Sequence, residues 1–512
     1  MMLLRRLFLP CVAGVLSACT AVGPDYVQPE SPLGPDWYKA EFERYDTDVE
    51  QQVHWWKTLG DPVLDNLIDL AHRQNNNLQI AGLRVLESRA QLGIATGSKY
   101  PQAQVVVGDA TAVQGSENAA NTAAGDLSYT QYNIGVGASW EIDFWGKFRR
   151  GIESADAAYL ASVAGYDQVM ILVTAQVCSA YLSVRTLEEQ IRITNDNIAI
   201  QQRSFDIVNV QFENGATSEL DVLQARTLLM ATRATLPALQ TQLYQARNAL
   251  ATLLGMPPSD MSDLLKGSSA IPAVPETVAV GLPADLLRRR PDVRQAEYLA
   301  MAQNAQVGVA EANLYPSFSL TGALGLSAAG NTDTTRTGNS GFSELFSSDS
   351  LTYSVGPSFV WPFLNYDRIK NNVRVQDARL QQSLIAYRET VLQAARDVED
   401  ALVALEGAER QDELLAITVA NAQRSAEVAQ LRFNEGFADY QRVLDAQTSL
   451  FTQQSRYVTN HSSIVGSFIA LYLALGGGWE LRDAANMIDA ETRETKQERT
   501  NWGDLIENET EQ

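Results

Sequence analysis

The chain has 512 residues, a formal net charge of −22, a pI near 4.6 and three cysteines. Such acidity disfavours nucleic acid, or an anionic lipid surface, as a partner held by bulk electrostatics. The three histidines, His54, His72 and His461, have no metal-ligand spacing, and no phosphate loop or nucleophile elbow is present, so no motif supports a metal site, a bound cofactor or an enzyme.

Arg5 and Arg6 precede an apolar run from Leu7 to Leu16 that ends in Leu16-Ser17-Ala18-Cys19. A charged start, a short apolar stretch and a small-residue cleavage site predict an export signal over residues 1–18. The four residues ending in Cys19 resemble the bacterial lipobox, in which the cysteine carries a covalent lipid. The alternative is a lone cysteine beside an ordinary cleavage site. Thr20 stands where lipoproteins retained in the inner membrane have Asp. With Cys11 removed and Cys19 lipidated, Cys178 alone remains and no disulfide is expected. Residues 19–62 are then a lipidated, extended N-terminal segment.

Most of the remaining chain is a duplication. Phe212-Glu213-Asn214-Gly215 returns as Phe433-Asn434-Glu435-Gly436, and Val222, Leu223, Leu250 and Leu254 return as Val443, Leu444, Leu471 and Leu475. Upstream, Ala90 to Ala95 with Tyr100-Pro101 returns as Ala305 to Ala310 with Tyr315-Pro316. The copies span 63–255 and 283–480, with a linker over 256–282 and a tail over 481–512.

Each copy predicts a helix (about Leu78 to Lys99, about Asp292 to Asn313) and then a β-hairpin (about 100–146 and 314–364). The best strands alternate strictly: Ile134, Val136, Ala138, Trp140 and Ile142 against Gly135, Gly137, Ser139 and Glu141; Phe318, Leu320 and Leu324 against Ser319, Thr321 and Ala323. Near Tyr353 the pattern is looser and contains Pro357, with Pro362 beyond; near Val105 to Val107 it is weakest. Period-two alternation with aromatics near the ends is the pattern of membrane strands, although a soluble half-buried sheet shows the same period. Ser/Thr/Asn/Gly-rich loops fall inside the hairpins, roughly at Gly108 to Asp126 and Ser327 to Asp349. After the signal no apolar run reaches the roughly 18 residues of a spanning helix, so any crossing must use strands. Four strands cannot close a barrel; two, three or four copies would supply eight, twelve or sixteen.

Two very long helices follow, about Lys147 to Glu213 and about Arg368 to Glu435, each free of proline. Met170, Val173, Val177, Ala180, Val184, Leu187 and Ile191 step by three and four, the seam of a left-handed coiled coil. Each long helix ends in a tight tip at Gly215 or Gly436, where glycine supplies a left-handed residue, and Ser218 and Asp439 are placed to cap returning helices over about Glu219 to Leu254 and Tyr440 to Leu475. In the run from Gly281 to Val293, Pro291 suits a first helical turn and Asp292 the positive end of the helix dipole. The tail from about Arg482 to Gln512 is acidic and polar and reads as mobile.

Taken in order, Cys19 to Tyr26 after the lipobox, Trp55-Trp56 with Asp61-Pro62, the run Leu286 to Asp292, and the glycine tips followed by Asp221-Val222-Leu223 and Val443-Leu444-Asp445-Ala446 resemble the TolC-like outer-membrane factors, in particular the NodT and OprM type of efflux lipoprotein. The resemblance implies a homotrimer in the outer-membrane lipid. Its twelve-stranded barrel stands on a long helical periplasmic tunnel with an equatorial domain. It also implies no cofactor beyond the lipid, and a role as the small-molecule exit duct of a tripartite pump with a periplasmic adaptor and an inner-membrane transporter of the RND type. The alternatives are a type I protein-secretion duct and a non-conducting envelope rod. By resemblance, Asp445 belongs to a carboxylate ring at the periplasmic gate, with Arg442, Asp439 and Asp221 as further gate candidates. An acid stands in the family where this chain has Arg442, which raises the possibility of an Arg442–Asp445 pair. The adaptor-contact candidates are Gly215, Ala216, Thr217, Gly436, Phe437 and Ala438.

Overall fold

The computed structural model describes residues 21–30, 33–34, 37, 45–46, 53–118, 127–268, 270–280, 287–331, 341–482, 487–503 and 505. The expected export signal over residues 1–18, Cys19, part of each hairpin loop and residues 281–286 lie outside these. In chain order the elements are β1 (Tyr45–Asp46), a 3-10 turn (Trp55–Leu59), α1 (Pro62–Gln74), α2 (Asn76–Gly97), β2 (Ala103–Gln114), β3 (Ser128–Ile142), α3 (Lys147–Glu213) and α4 (Glu219–Leu253). Then come β4 (Val278–Ala279), α5 (Pro291–Ala312), β5 (Ser317–Asn331), α6 (Gly341–Glu344), β6 (Leu351–Val360), α7 (Tyr366–Asn434), α8 (Tyr440–Leu475) and α9 (Ala490–Arg499). The chain forms two compact units, one of Met1–Pro29, Glu87–Leu160 and Glu297–Ile385, the other of Glu30–Leu86, Ala161–Ala296 and Ala386–Gln512. Each draws on both copies of the duplication.

The first unit is built on a four-stranded antiparallel sheet in the order β2-β3-β5-β6. Hairpins β2–β3 and β5–β6 are the expected ones, and β3 pairs with β5 to join the two copies. The weak alternation near Val105 nonetheless yields a full strand, paired from Ala103↔Ser139 to Gln114↔Ser128. Its partner supplies the register that its own residues do not. Pro357 sits in β6 opposite Leu320, on an outer strand, where a missing N–H is tolerated; Pro362 lies beyond the strand end.

The second unit is helical around one large core. Trp55 stacks on Tyr472 at 5.3 Å and 6°, and both are fully buried with Leu64, Leu67, Ile68, Tyr181, Leu250 and Phe468. Asp61, itself buried, accepts from the N–H groups of Val63 and Leu64 to cap α1 and takes a 2.5 Å hydrogen bond from the Tyr181 hydroxyl. Cys178 is buried in the same core, where burial pushes its thiol up, and it acts as a packed small side chain.

The coiled-coil seam is only partly what the spacing predicts. Met170, Val173, Val177 and Val184 are buried, but Ala180, Leu187 and Ile191 are only half-buried, and Thr174, Arg185, Asn197, Gln201 and Ser204 are buried beside them. Polar bridges tie the helices: Asn197 donates to Gln454 at 2.7 Å, Ser204 to Gln430 at 2.8 Å and Asn460 to Asp412 at 3.1 Å. Stretches of α3 and α8 are apolar on average over the length of a spanning helix, but more than half of each is buried as core.

The tail also departs from expectation. Residues 490–499 form α9, capped by Asp489, and Met487 and Ile488 are buried. The Met487 carbonyl packs on Gly82 of α2 so closely that a Cβ there would collide with it. Just upstream, Arg482 donates to both oxygens of the fully buried Asp167 at 2.8 Å, and Arg294 stands 3.8 Å from the same carboxylate and 4.9 Å over the Trp479 ring. The tail's acidic average conceals these anchors.

Burial raises Asp167 to about 6 against the pull of both arginines. A carboxyl raised on folding costs stability where it is ionised, and that cost is relieved as pH falls through about 6. Arg482→Ala leaves the carboxylate with Arg294 alone and is expected to destabilise by about 3–5 kcal/mol at pH 7.5. The loss shrinks towards pH 5, where Asp167 carries a proton. Thermal unfolding of the detergent-solubilised variant at the two pH values checks this, and an equal loss at both would contradict it.

Candidate functional site: a two-faced sheet and two helical tips

The sheet register sorts its side chains onto two faces. One carries Val106, Ile134, Val136, Ala138, Trp140, Ile142, Phe318, Leu320, Leu324, Leu351, Tyr353, Val355 and Phe359, which meet across the strands as Val106↔Val136↔Leu324↔Tyr353 and Ile142↔Phe318↔Phe359. This face is exposed: Val106 to 78%, Tyr353 to 77% and Val355 to 73%. A soluble monomer rarely leaves so broad an apolar surface uncovered. Tyr132 and Trp140 on this face lie about 27 Å apart along β3 at the usual strand rise, which at the tilt of outer-membrane strands spans about 20 Å, most of the apolar band of such barrels.

The other face is mostly small and polar, with Val105 and Val107 of β2 as its exposed apolar exceptions. Asn133 donates to Asp109 at 3.1 Å and accepts from Ser327 at 2.8 Å, in company with Gly135, Gly137, Ser139, Glu141, Ser319, Thr321, Ser354 and Ser358. Water suits this face as hydrocarbon suits the first, so the sheet is fitted to separate the two media.

The tips are built alike at the backbone and differently in their caps. Gly215 and Gly436 have φ of 76° and 75°. Their N–H groups donate to Phe212 and Phe433, while those of Ala216 and Phe437 donate to Gln211 and Arg432, the Schellman pattern in both copies. Ser218 then completes a capping box: its Oγ accepts from the Asp221 N–H and the Asp221 carboxylate accepts from the Ser218 N–H. Burial alone would raise Asp221, but bonds from Ser218 and Thr217 hold it below the usual carboxylate range.

Asp439 occupies the equivalent N-cap position, yet its side chain makes no capping bond, contrary to the expectation. The residue matching Asp221 is Arg442, a donor that cannot close the box. Nor does Arg442 pair with Asp445, whose carboxylate instead accepts from Gln441 at 2.9 Å. Asp439, Arg442 and Asp445 are exposed, as are Gly215, Ala216, Gly436 and Phe437, with Thr217 and Ala438 half-buried. Below the tips, Val208, Ala225, Phe433, Tyr440, Val443 and Leu444 form a small core of their own, and Gln224 reaches Gln441 at 3.3 Å. The four gate candidates thus fall at the starts of the returning helices, Asp439 at an N-cap, Asp221 and Arg442 in the first turns and Asp445 in the second, with Asp221 committed to a cap. Among the described residues no His, Cys, Asp and Glu side chains group as metal ligands.

Ser218→Ala is expected to weaken the first turn of α4 by about 1 kcal/mol, whereas Asp439→Ala leaves α8 nearly unchanged. Hydrogen exchange at the two helix starts checks the contrast.

The family model for outer membrane efflux proteins matches residues 67–256 and 282–477. The chain is 30% identical to the cation efflux system protein CusC of Escherichia coli, over 92% of this chain and 98% of that one. It is 31% identical to the pyoverdine export outer membrane protein OpmQ of Pseudomonas putida, over 94% and 99%. Among solved structures, the outer-membrane channel OprN matches with a TM-score of 0.83 at 29% identity, over 90% of this chain and 99% of that one.

Proposed function

Because the chain belongs to the outer membrane efflux protein family, we propose that it is the exit duct of a tripartite efflux system, passing drugs or other small molecules from a periplasmic adaptor and an RND-type inner-membrane pump to the exterior. It is an outer-membrane protein and not an enzyme.

The observation that carries the reading is the two-faced sheet whose outer strands, β2 and β6, each have one neighbour among the described residues. In hydrocarbon each unpaired backbone group on such an edge costs several kcal/mol. Pooling the sheets of three copies gives twelve strands, within the range of bacterial barrels, and threefold symmetry gives every edge the same partner. The apolar faces then meet lipid, and the Asp109–Asn133–Ser327 faces line a wet lumen. A lipid on Cys19 tethers each copy to the same membrane.

In the helical unit, the bonded backbone of the tips presents Gly215, Ala216, Thr217, Gly436, Phe437 and Ala438 to the adaptor, with Phe437 as an apolar anchor exposed to 74%. Asp445 contributes one carboxylate per copy to a ring at the mouth, where like charges attract cations, and the nearby Arg442 lowers the net charge. Asp439 adds a second exposed carboxylate, while Asp221 holds the first tip in shape. CusC is named for cations and OpmQ for pyoverdine; such different cargo supports selection by the pump rather than by the duct.

In a planar bilayer the purified protein is expected to conduct, and a non-conducting protein would make it an envelope rod. Asp445→Ala is expected to raise conductance or weaken block by multivalent cations, and unchanged traces remove Asp445 from the gate. In cells, restoring the gene to a deletion strain should restore drug tolerance; restoration of protein export alone would point to type I secretion.

A further inference from the structure

Arg150, near the start of α3, is buried in the sheet-bearing unit, and its guanidinium is spent on the N-terminal segment. Nε donates to the Val22 carbonyl at 3.2 Å, and Nη2 donates to the Gly23 carbonyl at 3.1 Å and to Asp25 at 2.7 Å; Nη1 donates to Glu153 at 2.8 Å. Asn304 of α5 donates to the Pro24 carbonyl at 2.9 Å, and the Val22 N–H donates to the Trp145 carbonyl at 3.0 Å. Three consecutive carbonyls, of Val22, Gly23 and Pro24, are therefore met one by one.

The fit is also steric. Gly23 has φ of 92° and lies so close to Gly308 that a Cβ would collide with it. A Cβ on Gly308 would stand 2.9 Å from the Val22 carbonyl, and one on Gly146 would collide with Ala21. This is how a binding site holds a peptide.

We propose that Ala21–Asp25 is held as a bound peptide in this socket, and that the socket fixes the lipid-bearing end of the chain at the strand-to-helix junction, with Arg150 as the positioning residue. The inference rests on the lipoprotein reading of Cys19. Ala21 is two residues from Cys19, a span of at most about 7 Å. The junction it touches is the base of the sheet: Trp145 stacks on Tyr315 at 4.6 Å and donates to the Pro316 carbonyl at 2.8 Å, and Phe144 lies 5.7 Å from Phe318. The partner surface is therefore lipid, met by acyl chains and apolar strands at the same place. Holding them together makes insertion of the sheet an intramolecular step at high effective concentration.

The deciding variant inserts a Gly/Ser spacer of about eight residues between Thr20 and Ala21, with an r.m.s. span of about 16 Å. It changes no residue of the fold. Three readouts on the full chain are needed: acyl mass on the N-terminal peptide, protease protection of residues 21–25, and the rate at which the hairpins become protease-protected in outer membranes. The spacer variant should keep acylation and a filled socket yet insert about tenfold more slowly. Arg150→Ala should stay acylated, expose residues 21–25 to protease and slow comparably. A spacer variant that inserts at the wild-type rate overturns the proposal, whatever Arg150→Ala does. A wild-type chain without acyl mass overturns the lipoprotein reading itself.

Discussion

A peptide group at the edge of a sheet has nowhere to turn in hydrocarbon, and this constraint organises the molecule. The strands β2 and β6 each bring one unmatched row of N–H and C=O groups, which no side chain can satisfy and only another strand can. A four-stranded sheet with two open edges is, on the proposed reading, completed by other copies of the chain. The same requirement explains the sorting of faces: once a ring of sheets closes, one side of every strand belongs to lipid and the other to water, and the alternation from Ile134 to Ile142 and from Phe318 to Leu326 follows.

The helical unit solves a different problem. Its core at Trp55, Tyr181, Phe468 and Tyr472 is dense and apolar, but between it and the small apolar cluster below the tips polar contacts join in, with Asn197–Gln454, Ser204–Gln430 and Asn460–Asp412 bridging the helices. Such bonds add little net stability each. Their geometry is directional, so they fix which turn of one helix faces which turn of the next, as a buried Asn fixes register in a coiled coil.

Features with a local cause were legible in the sequence. The proline-free stretch from Lys147, the glycines at 215 and 436 and the strand alternation placed the long helices, the tips and three of the strands close to where they lie. Contacts between residues hundreds of positions apart were not legible, because no period or spacing announces them: Trp55 on Tyr472, Arg482 on Asp167, Arg150 on Val22 and Gly23. The tail misled for a related reason, since two apolar residues, Met487 and Ile488, are lost in an acidic average but sufficient to seat a short segment. At the second tip the signal was present: Asp439 is followed three residues later by Arg442 rather than an acid, which rules out a reciprocal cap.

That mismatch reaches beyond one helix end. In the proposed trimer, the duplication would supply six near-copies of a single loop, an approximate hexagon. With Ser218 and Asp221 in one copy against Asp439 and Arg442 in the other, the hexagon decays into two interleaved triangles, one stiffly tied and charge-quenched, the other looser and bearing both signs on its surface. A protein that grips the proposed rim would have to offer two kinds of handhold, or use only every second one.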